Sequence, residues 1–273
     1  MSVRPDDRQT GSASLGGLAE YALQTLAIAQ VELRKLRRDP TELFTRSVQP
    51  ALWLTVFGQV FGQVREIPTG GMSYPAFLAP GILAQSVLFV AIFYGIVVIW
   101  ERDLGLLQKQ LVTPAARSAL VLGKGLSAGI RGVAQAAIVY VIAFFMGVPL
   151  QLTLPAIFLV LVFVILGSAL FSTFSLLIAC LMKTRERFMG IGQVLTMPLF
   201  FASSAIYPIE MMPGWLKHVA LVNPLSYQVD ALRALMVQGG HSTFGLGMDF
   251  GLQVVVLIVL VAFAAAMYPK VVL

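Results

Sequence analysis

The chain has 273 residues, of which 58% are hydrophobic and only 12% charged, with mean hydropathy +0.85. Soluble domains carry about 25% charged residues, so this composition excludes an ordinary soluble enzyme and points to a polytopic membrane protein. The net charge of +6 does not imply nucleic acid, because its distribution along the chain has another explanation, given below.

Residues 1–17 are rich in Ser, Gly, Arg and Asp, which predicts a disordered tail. The first residues lack an apolar h-region, so no cleavable signal peptide is expected. Residues 18–40 predict an amphipathic helix. Leu18, Ala22, Leu26, Ala29, Leu33 and Leu36 form one stripe, with Glu20, Gln24, Arg34, Arg37 and Arg38 around the rest of the axis. Its basic end suits anionic lipid headgroups. It is either a surface anchor or an anchor that also touches a cytosolic subunit.

Six spans are predicted in residues 41–273: 44–63, 76–100, 129–148, 154–182, 190–207 and 250–268. Most reach the roughly 20 residues needed to cross the hydrocarbon. The first contains Pro50, Gln59 and Gln63 and the fifth Pro198, so neighbouring helices must satisfy the backbone groups these prolines free. Arg131 is the one clear charge inside a span, and it is expected to snorkel toward the headgroups.

Between the second and third spans lies Trp100–Lys124, which holds Arg102, Lys109, Arg117, Lys124, Glu101 and Asp103. A short surface helix is expected from Glu101 to Leu111, closed by Thr113-Pro114 because proline disfavours helix in the residue before it. Leu104, Leu107 and Leu111 would share one face of it.

Lysine and arginine set the orientation. Fifteen fall on the N-terminal segment, the connections after spans two and four, and the C-terminal tail. Only Arg65, Lys217 and Arg233 fall on the alternate side. Both termini are therefore expected in the cytoplasm of a cell bounded by a bacterial-type plasma membrane.

The outer connection, 207–248, is too apolar for a solvated loop and too broken by proline to span. This predicts a re-entrant segment over 207–235. Asn223-Pro224 suits a helix start; Leu225, Val229, Leu232 and Leu235 form its apolar face, and Asp230 and Arg233 are spaced to pair.

Chemistry is sparse. Gly123-Lys124-Gly125 lacks the upstream glycine and following hydroxyl of a phosphate loop, so no ATP site is expected in this chain. His218 and His241 stand without His-Glu-x-x-His or Gly-x-Ser-x-Gly, and the single cysteine, Cys180, excludes an intrachain disulfide. No metal site and no enzyme activity of the chain's own are expected.

Glu101-Arg102-x-x-Gly105-x-Leu107, then Leu111-x-Thr113-Pro114, then Gly123-Lys124 resembles the coupling region of ABC exporter permeases, the family of the daunorubicin-resistance, polysaccharide and teichoic-acid exporters. Asn223-Pro224-Leu225-Ser226-Tyr227 with Asp230 and Arg233 resembles that family's external signature. The likeness covers nearly the whole chain beyond Gly17.

It implies an all-α fold: six transmembrane helices, an N-terminal interface helix and an external re-entrant segment. It also implies a coupling helix over 101–114, with Glu101, Arg102, Gly105, Thr113, Pro114 and Lys124 facing an ABC ATPase subunit, and Arg34 and Arg37 on the interface helix beside it. ATP and Mg would be held by that ATPase, with no cofactor in this chain. A second permease half, identical or paralogous, would complete the pathway, which would narrow near Ala205, Ile206 and Tyr207. Membrane lipids are the other partner, and nucleic acid is not one. The expected substrate is lipidic, amphiphilic or drug-like. Two other readings of the residues stay open, an ion-coupled secondary transporter and a non-transporting membrane scaffold. The scarcity of acids within the spans disfavours the first.

Overall fold

The computed structural model describes residues 41–63, 68–105, 117–182 and 184–267. The expected tail, the interface helix with Arg34 and Arg37, and the stretch containing Thr113 and Pro114 lie outside the described residues. What is described is helical throughout, without a strand; one isolated antiparallel bridge joins Leu150 to Val237.

Helix α1, Thr41–Leu52, contains Pro50, which removes a backbone donor from the ladder. The ladder then widens into a π turn, Trp53–Phe57, before regular helix resumes as α2, Gly58–Gly62. Among the described residues, four helices are long and apolar enough to cross a membrane: α3 (Tyr74–Asp103), α4 (Arg117–Phe145, apolar from Leu120), α5 (Leu154–Leu181) and α9 (Leu246–Met267). The other two expected spans are helical but shorter as regular helices. The first is broken by the π turn. The fifth, α6, runs Arg185–Phe201, 17 residues with Thr184 as its cap, and unwinds after Phe201. A 3-10 turn (Ile209–Met211), α7 (Gly214–Val222) and α8 (Pro224–Met236) follow.

Two helix bounds differ from expectation, where α3 ends and where α4 begins. Helix α3 does not stop at Trp100. It carries Glu101, Arg102 and Asp103 as its last turn and ends where Gly105 adopts φ +68°. There the Gly105 N–H reaches the Arg102 carbonyl at 2.9 Å and the Leu104 N–H that of Trp100 at 3.0 Å. A left-handed glycine is the usual helix stop, so Glu101 ends one helix rather than beginning another. Helix α4 starts earlier than expected, at Arg117, which puts Lys124 inside a helix instead of in a connection. Arg131 consequently lies halfway along α4. It is only 8% exposed, its guanidinium 4.8 Å above the Tyr94 ring, so it faces the bundle and does not snorkel.

Helices α3, α4 and α5 pack mutually, and α9 lies against α5. The main core gathers Ile82, Leu83, Leu88 and Ile92 of α3 with Phe163 and Phe171 of α5. A second cluster of Val98, Ile99, Val121, Leu176 and Phe188 closes the end at which α3 finishes. This is called the basic end here, for Arg102, Lys124 and Arg185. Outward positions are apolar as well: Phe145 of α4 is 82% exposed and Phe158 of α5 66%. Such faces in water would drive association; against acyl chains they cost nothing. The protein is a membrane protein.

Helix α8 is unlike the others. Its expected apolar face is buried, but so are Gln228, Asp230 and Arg233 on its other sides. It packs on α3, α5 and α9 at once.

Candidate functional site

Two groups of polar side chains stand at opposite ends of the bundle. At the basic end, Glu101 in the last turn of α3 forms an ion pair with Lys124 of α4. Both side chains are largely buried, 13% and 6% exposed. A carboxylate in a last helical turn opposes the helix dipole by about 0.3–1 kcal/mol, so Lys124 is what makes the position tenable. Next to it, Arg102 donates from Nη1 to the Met182 carbonyl at 3.0 Å, where α5 has just ended. Arg102 Nη2 also lies 3.3 Å from Asp103 Oδ1. Arg185, at the start of α6, donates to Asp103 Oδ2 at 2.9 Å from Nη2 and 3.0 Å from Nε. Its guanidinium stacks 4.7 Å above the Trp100 ring.

These contacts tie the end of α3 to the start of α4, the end of α5 and the start of α6. Of the expected coupling residues, the structure therefore brings Glu101, Arg102 and Lys124 together. Gly105 acts as the helix stop beside them. Sequence reasoning missed Asp103, Arg185 and Trp100 as members of the cluster. The signals were there: Trp100 and Asp103 lie in the charged stretch already singled out, and Arg185 follows the span-four boundary on the same predicted side.

At the opposite end, Asn223 caps α8 by accepting from the Leu225 N–H at 3.0 Å. Its amide donates to the carbonyls of Leu199 (2.7 Å) and Ala202 (3.1 Å) at the end of α6. One side chain thus starts α8 and satisfies the orphan carbonyls where α6 unwinds. Pro224 occupies the first helical position. Tyr227 donates to the Leu221 carbonyl at 2.7 Å and packs on Phe244, ring centroids 4.7 Å apart.

Asp230 and Arg233 do not form the expected pair. The Asp230 carboxylate accepts instead from the Ser242 hydroxyl (2.8 Å) and the Phe244 N–H (3.0 Å). Ser242 also lies 2.9 Å from Asp249 Oδ2. Arg233 turns the other way, donating to the Ser204 carbonyl at 2.6 Å, with its guanidinium 3.9 Å above the Phe77 ring. Three residues apart permits pairing, but both partners have better-placed groups in other elements. Burial pushes the Arg233 guanidinium down to about 10, against the opposing pull of Asp230 and Glu210, so it remains a cation at neutral pH. A cleft of about 300 Å³ opens beside Glu210, Asp230, Arg233 and His241.

Ala205, Ile206 and Tyr207 lie in the unwound stretch after α6. Ala205 is fully buried against the backbone of Gly81, the Ile206 carbonyl accepts from Tyr74 (3.2 Å), and the Tyr207 hydroxyl donates to the Phe201 carbonyl (2.5 Å).

Comparison with known proteins places this geometry in a family. The ABC-2 type transporter family matches residues 23–237. Among similar chains, the ycf38 protein of Cyanophora paradoxa, named as a candidate transport permease, is 30% identical over 74% of this chain and 70% of its own length. The daunorubicin resistance ABC transporter permease protein DrrB1 of Streptomyces coeruleorubidus is 27% identical over 82% and 76%. Nodulation protein J of Rhizobium leguminosarum bv. trifolii is 28% identical over 71% and 72%. The chain belongs to the ABC-2 type transporter family, the membrane permease subunits of ABC transporters.

Proposed function

We propose that this chain is one permease half of an ATP-driven exporter that moves a lipidic, amphiphilic or drug-like substrate outward. In this reading it has six spans with both termini in the cytoplasm, and 207–235 dips into the outer leaflet. The segment Thr41–Gly62 and helix α6 complete the set of six, the first with its π turn, the second continued by the unwound stretch to Tyr207. Two permease halves and two ABC ATPase subunits make up the complex, and the ATPases hold ATP and Mg.

The observation that carries the proposal is the clamp at the basic end. A push delivered to the connection between α3 and α4 would reach Glu101 and Lys124 first. From there Arg102, Asp103 and Arg185 pass it to α5 and α6, so four helices respond together. That is a mechanical arrangement, with no bond-making group in it. In this reading the energy source is a separate subunit, which fits the missing phosphate loop.

The daunorubicin-resistance name of one relative supports a drug-like or amphiphilic cargo; the largely apolar outer faces suit a substrate that partitions into lipid. The test is purification in mild detergent followed by reconstitution. An ABC ATPase subunit should copurify, and ATP should drive substrate movement out of the compartment bearing the ATPases. A chain that purifies alone and transports without ATP would overturn the proposal in favour of an ion-coupled carrier.

A further inference from the structure

Between α1, α3 and α4, midway along the bundle, lies a cavity of about 460 Å³. It is walled by Gln49 of α1, Gln85, Ser86, Phe89 and Phe93 of α3, and Gln135 of α4. Among the described residues, none that lines it is titratable. The Ser86 hydroxyl is satisfied by the Ile82 carbonyl at 2.7 Å. Two of the glutamines are not fully satisfied. Gln135 is 0% exposed and neither its Oε1 nor its Nε2 has a partner; Gln85 is 3% exposed and its Nε2 has none.

Orphaned amides at this depth are costly. A bundle of this kind could fill the same positions with leucine and be more stable. Nothing about packing explains three glutamines from three helices meeting at one cavity. Phe89 and Phe93, stacked with centroids 6.1 Å apart, supply an apolar wall beside them. A volume of this size, mostly apolar with a few convergent polar groups, has the features of a small-molecule site.

We infer that this cavity binds an uncharged amphiphile, its hydroxyl, ester or amide groups bonded to Gln49, Gln85 and Gln135 and its alkyl or aryl part laid on Phe89 and Phe93. Charge is what the site selects against, because an ion here would be desolvated with no counter-ion among the described lining residues. Arg131, one helical turn from Gln135, is engaged with the Tyr94 ring. This inference rests on the export reading for the fate of the ligand, though binding itself requires neither ATP nor a partner.

The test uses the full chain in nanodiscs of phosphatidylcholine and phosphatidylglycerol. The probe is a diazirine-bearing monoacylglycerol, compared with the same acyl chain as a free fatty acid and as a quaternary ammonium. Crosslinks are mapped by mass spectrometry in the wild type and in Gln135→Leu and Gln85→Leu, with thermal unfolding measured on each. The neutral probe should label peptides containing 85–93 and 135 in preference to both ions. Gln135→Leu should weaken its binding about tenfold, the worth of one or two neutral hydrogen bonds, while raising the melting temperature of the ligand-free protein. That opposition of effects separates a ligand site from structural glutamines, whose loss would lower stability.

Equal labelling by the charged probes, unchanged binding in both variants, or a lower melting temperature with no probe bound would overturn the inference, the last showing a water-filled cavity only. If the complex fails to transport under ATP while labelling is retained, export falls and the site stands. If transport is intact and both leucine variants label as wild type, the site falls and export stands.

Discussion

Lys124 reaches from the second turn of α4 to Glu101 in the last turn of α3, and both charges are withdrawn from solvent. The pair adds a polar tie between two helix ends that already pack through Val98, Ile99 and Val121. An ion pair in this setting adds little over an apolar contact, but removing one partner strands the other. Its value is therefore positional: it makes the α3 and α4 ends move as one.

The first prediction follows from that asymmetry. Glu101→Ala and Lys124→Ala should each destabilise the protein by about 3 kcal/mol, and the double variant by much less than the sum. Glu101→Gln keeps a hydrogen-bond acceptor and should cost less than Glu101→Ala. In a reconstituted complex, Glu101→Gln should leave assembly and ATP binding intact while transport per ATP falls about fivefold or more, the size of a typical coupling free energy. Wild-type transport per ATP in Glu101→Gln would remove the pair from force transmission and leave it a helix tie.

Much of this end was legible in the sequence, and the reasons for the rest are physical. Charge placed at a span boundary marks a membrane surface, so Glu101, Arg102 and Lys124 stood out. Where α3 ends was not legible from Trp100, because interfacial aromatics mark depth and not helix termini. Gly105 was the true stop signal. The direction in which Asp230 and Arg233 turn was not legible either. Sequence spacing shows that two side chains can meet; it does not show that Ser242, Phe244 and Ser204 offer each of them something closer. The cavity glutamines lay inside apolar spans where a single amide carries no periodic signal, and only the convergence of three helices gives them meaning.

Asn223 makes three hydrogen bonds, one of them a cap. Losing a cap costs about 0.5–2 kcal/mol and each further bond about 1 kcal/mol. Asn223→Ala should therefore lower stability by roughly 2–4 kcal/mol. Asn223→Asp retains the cap but turns a carboxylate on the carbonyls of Leu199 and Ala202, so it should do no better than alanine. Thermal unfolding in detergent checks both; an aspartate variant as stable as wild type would mean that the bonds to α6 contribute nothing.

Glycines separate close packing from open surface. At Gly81 an added Cβ would collide with the carbonyl and Cα of Ala205, backbone atoms that cannot swing aside. Gly190, in the first turns of α6, has nothing within 4 Å of the same position. Gly81→Ala should therefore destabilise by about 1–3 kcal/mol through overpacking. Gly190→Ala should be neutral or stabilise by up to ~1 kcal/mol through helix propensity. The order of the two melting temperatures is the readout, and equal values would mean that the α3 contact with the unwound stretch after α6 is loose.

Sidedness is open to a direct chemical test, because the chain has one cysteine. Cys180→Ser should be tolerated, since the residue is only half-buried and serine is close in volume. In that background, single cysteines at Lys183 and Trp215 sample the two sides that the charge bias assigns to the connections after spans four and five. Trp215 is 70% exposed on α7, so its replacement should not disturb packing. If both termini are cytoplasmic, a membrane-impermeant maleimide added to intact cells should modify the cysteine at 215. It should modify the one at 183 only after the cells are opened. The charge bias of fifteen against three makes the opposite orientation hard to reach, because the basic residues would have to be translocated. Labelling at 183 from outside would overturn the orientation and, with it, access of a cytosolic ATPase to the Glu101–Lys124 clamp.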